Sequence, residues 1–172
     1  MIKLKRQKSH ENSREIYLIL DNIRSVHNVG SIFRTAETLG ISKIFCIGTT
    51  PTPKDRFNRK RSDMAKVALG AEDLIPWEYA EDAVSLVKKL QKDKFTVIAL
   101  EQNEKSIDYK EIKINKDEDD KLAIILGNEV TGVSANLLQM SDIIAEIPIR
   151  GKKESLNVSI SAGIFLYRLL DK

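Results

Sequence analysis

The sequence contains one cysteine, Cys46, and two histidines among its 172 residues. A single cysteine excludes an internal disulfide, and together with only two histidines it offers no zinc-type cluster. No apolar run approaches the roughly 20 residues of a membrane span, and the positively charged start is not followed by the continuous apolar segment of a signal peptide. We therefore expect a cytoplasmic protein that uses no metal and has no membrane segment.

The sequence has little excess of either charge: it contains 28 lysines and arginines and 25 aspartates and glutamates, which gives a net charge of +3. The positive charge is nevertheless concentrated in two clusters, one within residues 1–14 and one within residues 54–61. Such clusters are commonly no more than solvated loops. The second cluster also contains Phe57 and Asn58, and a ring and an amide among cations are typical of surfaces that bind RNA. Its basic residues are Lys54, Arg56, Arg59, Lys60 and Arg61.

The length fits one domain, and its hydrophobic pattern alternates between the periods of strands and helices. Alternating strands and helices favour an α/β fold, in which a mostly parallel sheet is covered by helices on both faces. We expect a basic amino-terminal extension over residues 1–14 and a single domain over residues 15–172. Predicted strands cover residues 15–20, 43–48, 95–100, 122–126 and 143–149, and predicted helices cover residues 28–40, 62–69, 81–93, 136–140 and 158–170.

Ligands of such folds bind beyond the carboxyl ends of the strands. The loops at that edge are polar and cover residues 21–28, 101–106, 127–132 and 148–157. In the third loop, "GNEVTG", the glycines would let the backbone approach a ligand, and Asn128 and Glu129 would supply donors and acceptors; a plain turn with a helix cap is the alternative. Neither a P-loop nor a GxGxxG fingerprint occurs anywhere in the chain.

The last predicted helix is apolar nearly all the way round, so one sheet face cannot bury all of its side chains. A second surface is implied, most simply a second copy of the chain, and we predict a homodimer through this helix. A central helix buried within the monomer is the alternative. Ser155 and Asn157 precede the helix and are typical capping residues, but a cationic stretch directly before them, residues 150–153, favours a functional loop.

The stretch "NVGSIFR", residues 28–34, places a glycine inside a predicted helix, where it costs about 1 kcal/mol relative to alanine. Arg34 points away from the apolar arc of that helix, and Gly30 lies one turn before it on the same outward face. We interpret Gly30 as clearing the surface on which Arg34 works.

Three stretches, "NVGSIFRTAETLGI", "LAIILGNEVTGVS" and "IPIRGKKESLNVSISAGIFLYRL", together resemble the three ordered motifs of the SPOUT class of RNA methyltransferases, in its SpoU/TrmH-type branch. The resemblance covers residues 16–170. It implies a SPOUT-type domain with a deep C-terminal trefoil knot, an obligate homodimer, and S-adenosylmethionine-dependent transfer of a methyl group to a ribose 2′-hydroxyl of RNA. General topology rules would argue against a knot.

The family's functional residues fall on matching positions of this sequence. The resemblance places the cofactor pocket on Leu100, Gly127, Ile147, Ser155 and Leu156. It places the catalytic and RNA-binding positions on Asn28, Arg34, Glu129, Ser155 and Asn157. Although the family's arginine is often described as a general base, arginine stays protonated in proteins, so we expect Arg34 to bind a phosphate and to stabilise the developing alkoxide.

The identity of the RNA is left open by the sequence. We expect no long appended RNA-binding domain, so the two basic clusters would serve recognition, which fits a compact tRNA better than rRNA. An rRNA 2′-O-methyltransferase is the first alternative, and a non-catalytic RNA-binding homodimer of the same fold is the second. A flavodoxin-like small-molecule protein would need a phosphate-binding loop after the first strand, and "DNIRSVHN" does not have that pattern.

Overall fold

Parallel β-strands form the centre of the structure, a computed structural model that describes residues 14–113 and 121–170. Within these residues seven strands form one sheet in the order β3-β2-β1-β6-β4-β7-β5, and every neighbouring pair is parallel. The strands are β1 (Ile16–Asp21), β2 (Lys43–Ile47), β3 (Trp77–Ala80), β4 (Phe95–Leu100), β5 (Ile107–Asp108), β6 (Lys121–Leu126) and β7 (Ile143–Glu146).

Helices cover both faces of the sheet, as the alternation of patterns predicts. They are α1 (Val26–Leu39), α2 (Ser62–Ala68), α3 (Ala71–Leu74), α4 (Ala83–Lys92), α5 (Ala135–Met140) and α6 (Val158–Leu170). One buried cluster lies between the sheet and helices α1, α2, α3 and α6, and the other lies between the sheet and helices α4 and α5. The predicted fold class, an α/β domain with a parallel sheet covered on both sides, is therefore confirmed; the knot that the resemblance implies stays a prediction.

Local sequence signals explain where the main helix begins and ends. The Ser25 side chain accepts a hydrogen bond from the backbone N–H of Asn28 at the start of α1, and Gly40 closes the helix in the left-handed conformation with φ of 72°. Serine is favoured at the N-cap because its hydroxyl accepts a hydrogen bond from a free backbone N–H, and glycine is favoured after the last helical residue because it adopts positive φ without a Cβ clash.

The prediction missed the two edge strands, β3 and β5, which contain four and two residues. Strands this short and this exposed carry too little alternation to be recognised. The prediction was also too long for β7, which ends at Glu146 rather than at residue 149. Pro148 has no backbone N–H to donate, so it cannot continue the strand's hydrogen bonding to a neighbour.

Some predictions fall outside the described residues, including most of the basic extension over residues 1–14. In the part of the chain that is described, no helix is both long and apolar enough to cross a membrane. The same residues contain no cluster of histidine, cysteine or carboxylate side chains arranged to hold a metal ion. The Cys46 side chain is completely buried in β2, and this burial raises the pKa of its thiol to about 12.

Candidate functional site

Three of the four loops predicted to carry function line one cavity of about 270 Å³. They follow strands β4, β6 and β7, which are neighbours in the sheet, with Leu100 paired to both Leu126 and Ala145. The fourth loop follows β1, the next strand along, and reaches the cavity wall through Glu129. All five residues predicted to bind the cofactor lie on the wall of this cavity: Leu100, Gly127, Ile147, Ser155 and Leu156.

Glu129 connects the loop after β6 to the start of helix α1. Its carboxylate accepts hydrogen bonds from the backbone N–H groups of Arg24 (2.9 Å) and Ser25 (3.0 Å) and from the side-chain amide of Asn28 (2.8 Å). Partial burial acts to raise the pKa of Glu129, but these hydrogen bonds outweigh it and hold the pKa below its ordinary value of 4.5. Glu129 is therefore an ionised acceptor at neutral pH and has no proton to give.

Asn28 is the middle member of a chain of three polar side chains. Its amide nitrogen donates to Glu129, and its amide oxygen accepts a hydrogen bond of 3.0 Å from the side chain of Asn157. Asn157 in turn starts helix α6, where its oxygen accepts from the backbone N–H of Ser159. Residues more than 100 positions apart in the sequence are thus fixed relative to one another beside the cavity.

Arg34 and Ser155 lie outside this chain of hydrogen bonds. Ser155 is exposed on the cavity wall. Arg34 is exposed on helix α1, six residues after Asn28 and so about 9 Å further along the helix axis. The structure therefore brings Asn28, Glu129 and Asn157 together and places Arg34 to one side of them.

All charged side chains among the described residues that line the cavity are acidic. They are Glu101, Glu129, Glu146 and Glu154. A phosphate or another anion would be repelled by such a wall, whereas a ligand with positive groups would be attracted. The cavity is thus matched to a cationic molecule, and its size is close to the lower end of the range for small-molecule sites, roughly 300 Å³.

The glycines of "GNEVTG" are required by the loop itself. A Cβ atom on Gly127 would lie 2.3 Å from the backbone nitrogen of Val133, and Gly132 has a φ of 71°. The Asn128 side chain is also used for internal hydrogen bonds: its oxygen accepts from the backbone N–H of Val130, and its nitrogen donates to the backbone oxygen of Asn22. The prediction that Asn128 offers its side chain to a ligand is thus corrected, because the turn uses that side chain.

The interpretation of Gly30 was wrong. Gly30 is buried, and a Cβ atom there would lie 3.0 Å from the Cβ of Val67 and 3.2 Å from the backbone oxygen of Met64, both in helix α2. The glycine therefore allows α1 and α2 to pack closely and does not clear a surface beside Arg34. The helical pattern showed that Gly30 faces away from the apolar arc, but it could not show that another helix packs on that side.

The basic cluster at residues 54–61 is largely paired with nearby carboxylates. Arg59 pairs with Asp55 at 2.7 Å, Arg61 pairs with Asp63 at 3.0 Å, and Lys60 pairs with both Asp73 and Glu72. Within the described part of the chain, Lys54 and Arg56 make no ion pair. Phe57 is 62% exposed, and the guanidinium groups of Arg56 and Arg59 lie 4.8 and 4.9 Å from the centre of its ring.

Sequence reasoning missed two carboxylates that shape this edge of the sheet. Asp21, at the end of β1, is buried and accepts hydrogen bonds from the backbone N–H and the side chain of Ser134. Glu101, directly after β4, accepts a hydrogen bond of 2.8 Å from the backbone of Val133. Asp21 is the last residue of β1 and Glu101 directly follows β4, and both lie within stretches that were predicted to be functional loops, so this position was the available signal.

A second cavity of about 550 Å³ lies at the opposite edge of the sheet, near the amino ends of the strands. Its floor contains Tyr17 stacked on Phe95, and two of its lysines are paired with carboxylates, Lys43 with Glu78 and Lys121 with Glu15. None of the three motifs reaches it. Although this cavity is larger, the convergence of the polar loops favours the smaller cavity as the functional site.

Known proteins resemble this chain over most of its length. The sequence model of the SpoU rRNA Methylase family matches residues 15–167. The chain is 31% identical over 154 residues to a 23S rRNA (guanosine-2'-O-)-methyltransferase of Coxiella burnetii, covering 90% of this chain and 57% of that protein. It is also 31% identical over 161 residues to a tRNA (guanosine(18)-2'-O)-methyltransferase of Borreliella burgdorferi, covering 92% of this chain and 68% of that protein.

A solved structure shares the fold over most of this chain. It is the AdoMet-bound rRNA methyltransferase of Sinorhizobium meliloti, which superposes with a TM-score of 0.79 at 28% identity and covers 90% of this chain and 55% of that one. The chain thus spans little more than half to about two thirds of the length of these three proteins.

Proposed function

The chain belongs to the SpoU rRNA methylase family. We propose that it is an S-adenosylmethionine-dependent methyltransferase that acts on a ribose 2′-hydroxyl of RNA, with tRNA preferred over rRNA. The observation that carries the proposal is the convergence of all five predicted cofactor residues on one cavity with acidic walls. One of the two relatives described above is named for tRNA and the other for rRNA, so the choice of RNA rests on this chain's own surface.

The cavity fits the cofactor in charge. S-adenosylmethionine carries a sulfonium and an ammonium group against a single carboxylate, so acidic walls attract it as a whole. Leu100, Ile147 and Leu156 would contact its apolar parts, and Gly127 and Ser155 would border it at the loops after β6 and β7. When bound, this cofactor would supply a methyl group on a sulfonium, which needs no metal: as the methyl moves from sulfur to the ribose 2′-oxygen, the neutral thioether of S-adenosylhomocysteine is left and the hydroxyl proton is released to water.

The residues beside the cavity position the RNA. Glu129, Asn28 and Asn157 form a rigid chain of hydrogen bonds that fixes the start of α1 against the start of α6. This arrangement holds the ribose in line with the donor, and orientation of this kind accounts for several kcal/mol of barrier lowering. Arg34, exposed on α1, binds a phosphate next to the target and stabilises the charge that develops on the ribose oxygen.

Recognition of tRNA is assigned to the basic residues of the two clusters. In residues 54–61, Lys54 and Arg56 carry this role, because the other three cations are occupied by local carboxylates. The lysines and arginines of residues 1–14 would add further positive charge. Contacts between such basic side chains and RNA phosphates recognise the shape of the RNA, which suits a folded RNA of limited size.

A homodimer completes the proposal, and the apolar surface of α6 supports it. Ile160, Ile164 and Tyr167 are 55%, 38% and 50% exposed, while the opposite face of α6 packs on the core through Phe165 and Leu166. Monomeric proteins rarely leave such a stripe open. We expect Ile164→Asp to convert the protein to monomers in sedimentation velocity runs, with helical content unchanged in circular dichroism; a dimer of unchanged affinity would refute this interface.

The function is tested by incubating the protein with methyl-labelled S-adenosylmethionine and either unmodified tRNA or unmodified rRNA, followed by nucleoside analysis. We expect 2′-O-methylated nucleosides from the tRNA pool and no transfer by Asn28→Ala. Asn103→Ala is the matched control, because its side chain bonds only within its own exposed loop, and it should transfer normally. Methylation of a base would refute the ribose reaction, and binding of RNA without any cofactor binding would favour the non-catalytic alternative.

A further inference from the structure

Glu101 lies on the wall of the cavity at the carboxyl end of β4, one residue after Leu100. Neither the three motifs nor the resemblance assigns it a role. We propose that Glu101 is a cofactor-binding residue whose carboxylate accepts hydrogen bonds from the two neighbouring hydroxyl groups of the cofactor's ribose. This inference rests on the proposed function, since it assumes that the cavity binds S-adenosylmethionine.

The Glu101 carboxylate is held in one orientation by the backbone. One oxygen accepts from the N–H of Val133 at 2.8 Å, and the other accepts from the N–H of Gln102 at 2.9 Å. Gly132 packs directly against the carboxylate, because a Cβ atom on Gly132 would lie 2.2 Å from the nearer carboxylate oxygen. The side chain is therefore fixed before any ligand arrives, which lowers the entropic cost of binding.

The fixed carboxylate still has unused acceptor capacity. A carboxylate offers about four acceptor positions, and the two backbone donors occupy two of them. Among the described residues, Glu101 forms no ion pair and no basic side chain lines the cavity. The remaining positions, one on each oxygen, suit a pair of neutral donors on adjacent atoms, and two neighbouring ribose hydroxyls are such a pair. An acidic side chain after a strand of a parallel sheet binds ribose in the same way in dinucleotide-binding folds.

The other acidic residues of the cavity are less suited to this role. Glu129 already accepts three hydrogen bonds from the start of α1. Glu146 and Glu154 make no side-chain hydrogen bond within the described residues, so nothing fixes their orientation, and their contribution is the overall attraction of a cationic ligand. Glu101 alone among the four combines a fixed orientation with free acceptor positions.

The test compares S-adenosylhomocysteine with its 2′-deoxyribose and 3′-deoxyribose analogues by isothermal titration calorimetry on the full chain. We expect each analogue to bind the unmodified protein about 10- to 100-fold more weakly, the loss typical of a hydrogen bond to a charged group. In Glu101→Ala, the parent ligand should bind more weakly and the difference between the ligands should nearly vanish. Glu104→Gln, a charge change three residues away in the same loop and outside the cavity wall, should keep the full discrimination.

The outcomes separate the two proposals. Equal affinity of all three ligands for the unmodified protein overturns the role of Glu101 while the proposed function stands. An equal weakening of all three ligands by Glu101→Ala, with discrimination retained, also overturns it and indicates that Glu101 only fixes the backbone of Val133. If neither S-adenosylhomocysteine nor S-adenosylmethionine binds, both proposals fail. Because discrimination is first measured on the unmodified protein, the test does not depend on the folding of a variant.

Discussion

A side chain at Gly30 would press on helix α2, so Gly30→Leu is expected to weaken folding before it affects function. In the native structure a single added Cβ atom would lie 3.0 Å from the Cβ of Val67, which is closer than the 3.4–4 Å of ordinary contact. Either helix α2 moves by a few tenths of an ångström or α1 does. Both movements disturb the buried contacts of Met64 and Phe33 in the same core.

The expected magnitude follows from two opposing effects. Overfilling a packed contact costs about 1–3 kcal/mol, and replacing a helical glycine by alanine gains about 1 kcal/mol. Gly30→Ala should therefore lower the free energy of unfolding by about 0–2 kcal/mol. Gly30→Leu adds three more carbon atoms to the same contact, and we expect a loss of about 3 kcal/mol, equivalent to a decrease in Tm of roughly 6–12 °C for a chain of this size.

The assay is thermal and urea unfolding followed by circular dichroism, at one fixed protein concentration so that dimerisation contributes equally. S-adenosylmethionine affinity and methyl transfer are then measured well below the unfolding transition, where both variants should remain active. If Gly30→Leu unfolds at the same temperature as the unmodified protein and yet loses transfer or dimerisation, the packing argument is wrong and Gly30 borders a docking surface after all.

Three further predictions concern the site and the basic cluster. Glu129→Gln replaces one carboxylate oxygen by an NH2 donor, so the backbone N–H of either Arg24 or Ser25 loses its acceptor, and we expect the free energy of unfolding at neutral pH to fall by about 1–3 kcal/mol. Because the pKa of Glu129 is lowered on folding, its stabilisation is present above its ordinary value of 4.5 and is lost as the pH falls through the lower folded value; the unfolding free energy of Glu129→Gln should fall less over that acidic range. Arg34→Lys should leave measurable methyl transfer, since lysine keeps the positive charge, and a complete loss with unchanged RNA binding would contradict the phosphate-binding role. Arg56→Ala should weaken RNA binding in filter assays and reduce the slope of affinity against salt by about one, whereas Lys60→Ala, which breaks the pairing with Asp73 and Glu72, should act mainly on the stability of the loop.

The elements of the fold were largely predictable, because each depends on local pattern. Helix α1 shows the 3.6-residue period between a capping Ser25 and a terminating Gly40, and the central strands are continuous apolar runs. The edge strands β3 and β5 were missed, since two to four residues hold no periodic signal. Their existence depends on pairing with β2 and β7, which is a tertiary contact.

The candidate site was predictable only in part. All five residues predicted to bind the cofactor line one cavity, but what each side chain contacts could not be predicted from the sequence. Asn128 satisfies its own turn, Lys60 pairs with α3, and Glu101 fixes the backbone of Val133. Asp73 lies 13 residues after Lys60 and Val133 lies 32 residues after Glu101, and nothing in the local sequence around Lys60 or Glu101 indicates these partners.

The sequence by itself determined the class of fold, the helices and central strands with a clear periodic pattern, and the ordered motifs, because hydrophobic period, capping residues and motif spacing are properties of short segments. Only the tertiary structure decided that β1, β6, β4 and β7 lie side by side, which joins Asn28 to Glu129 and Asn157 across more than 100 residues. It also decided that Gly30 packs against α2. The physical reason is the same in both cases: strand order and helix contacts are set by which distant surfaces bury each other, and a local pattern shows that a face will be covered without showing by what.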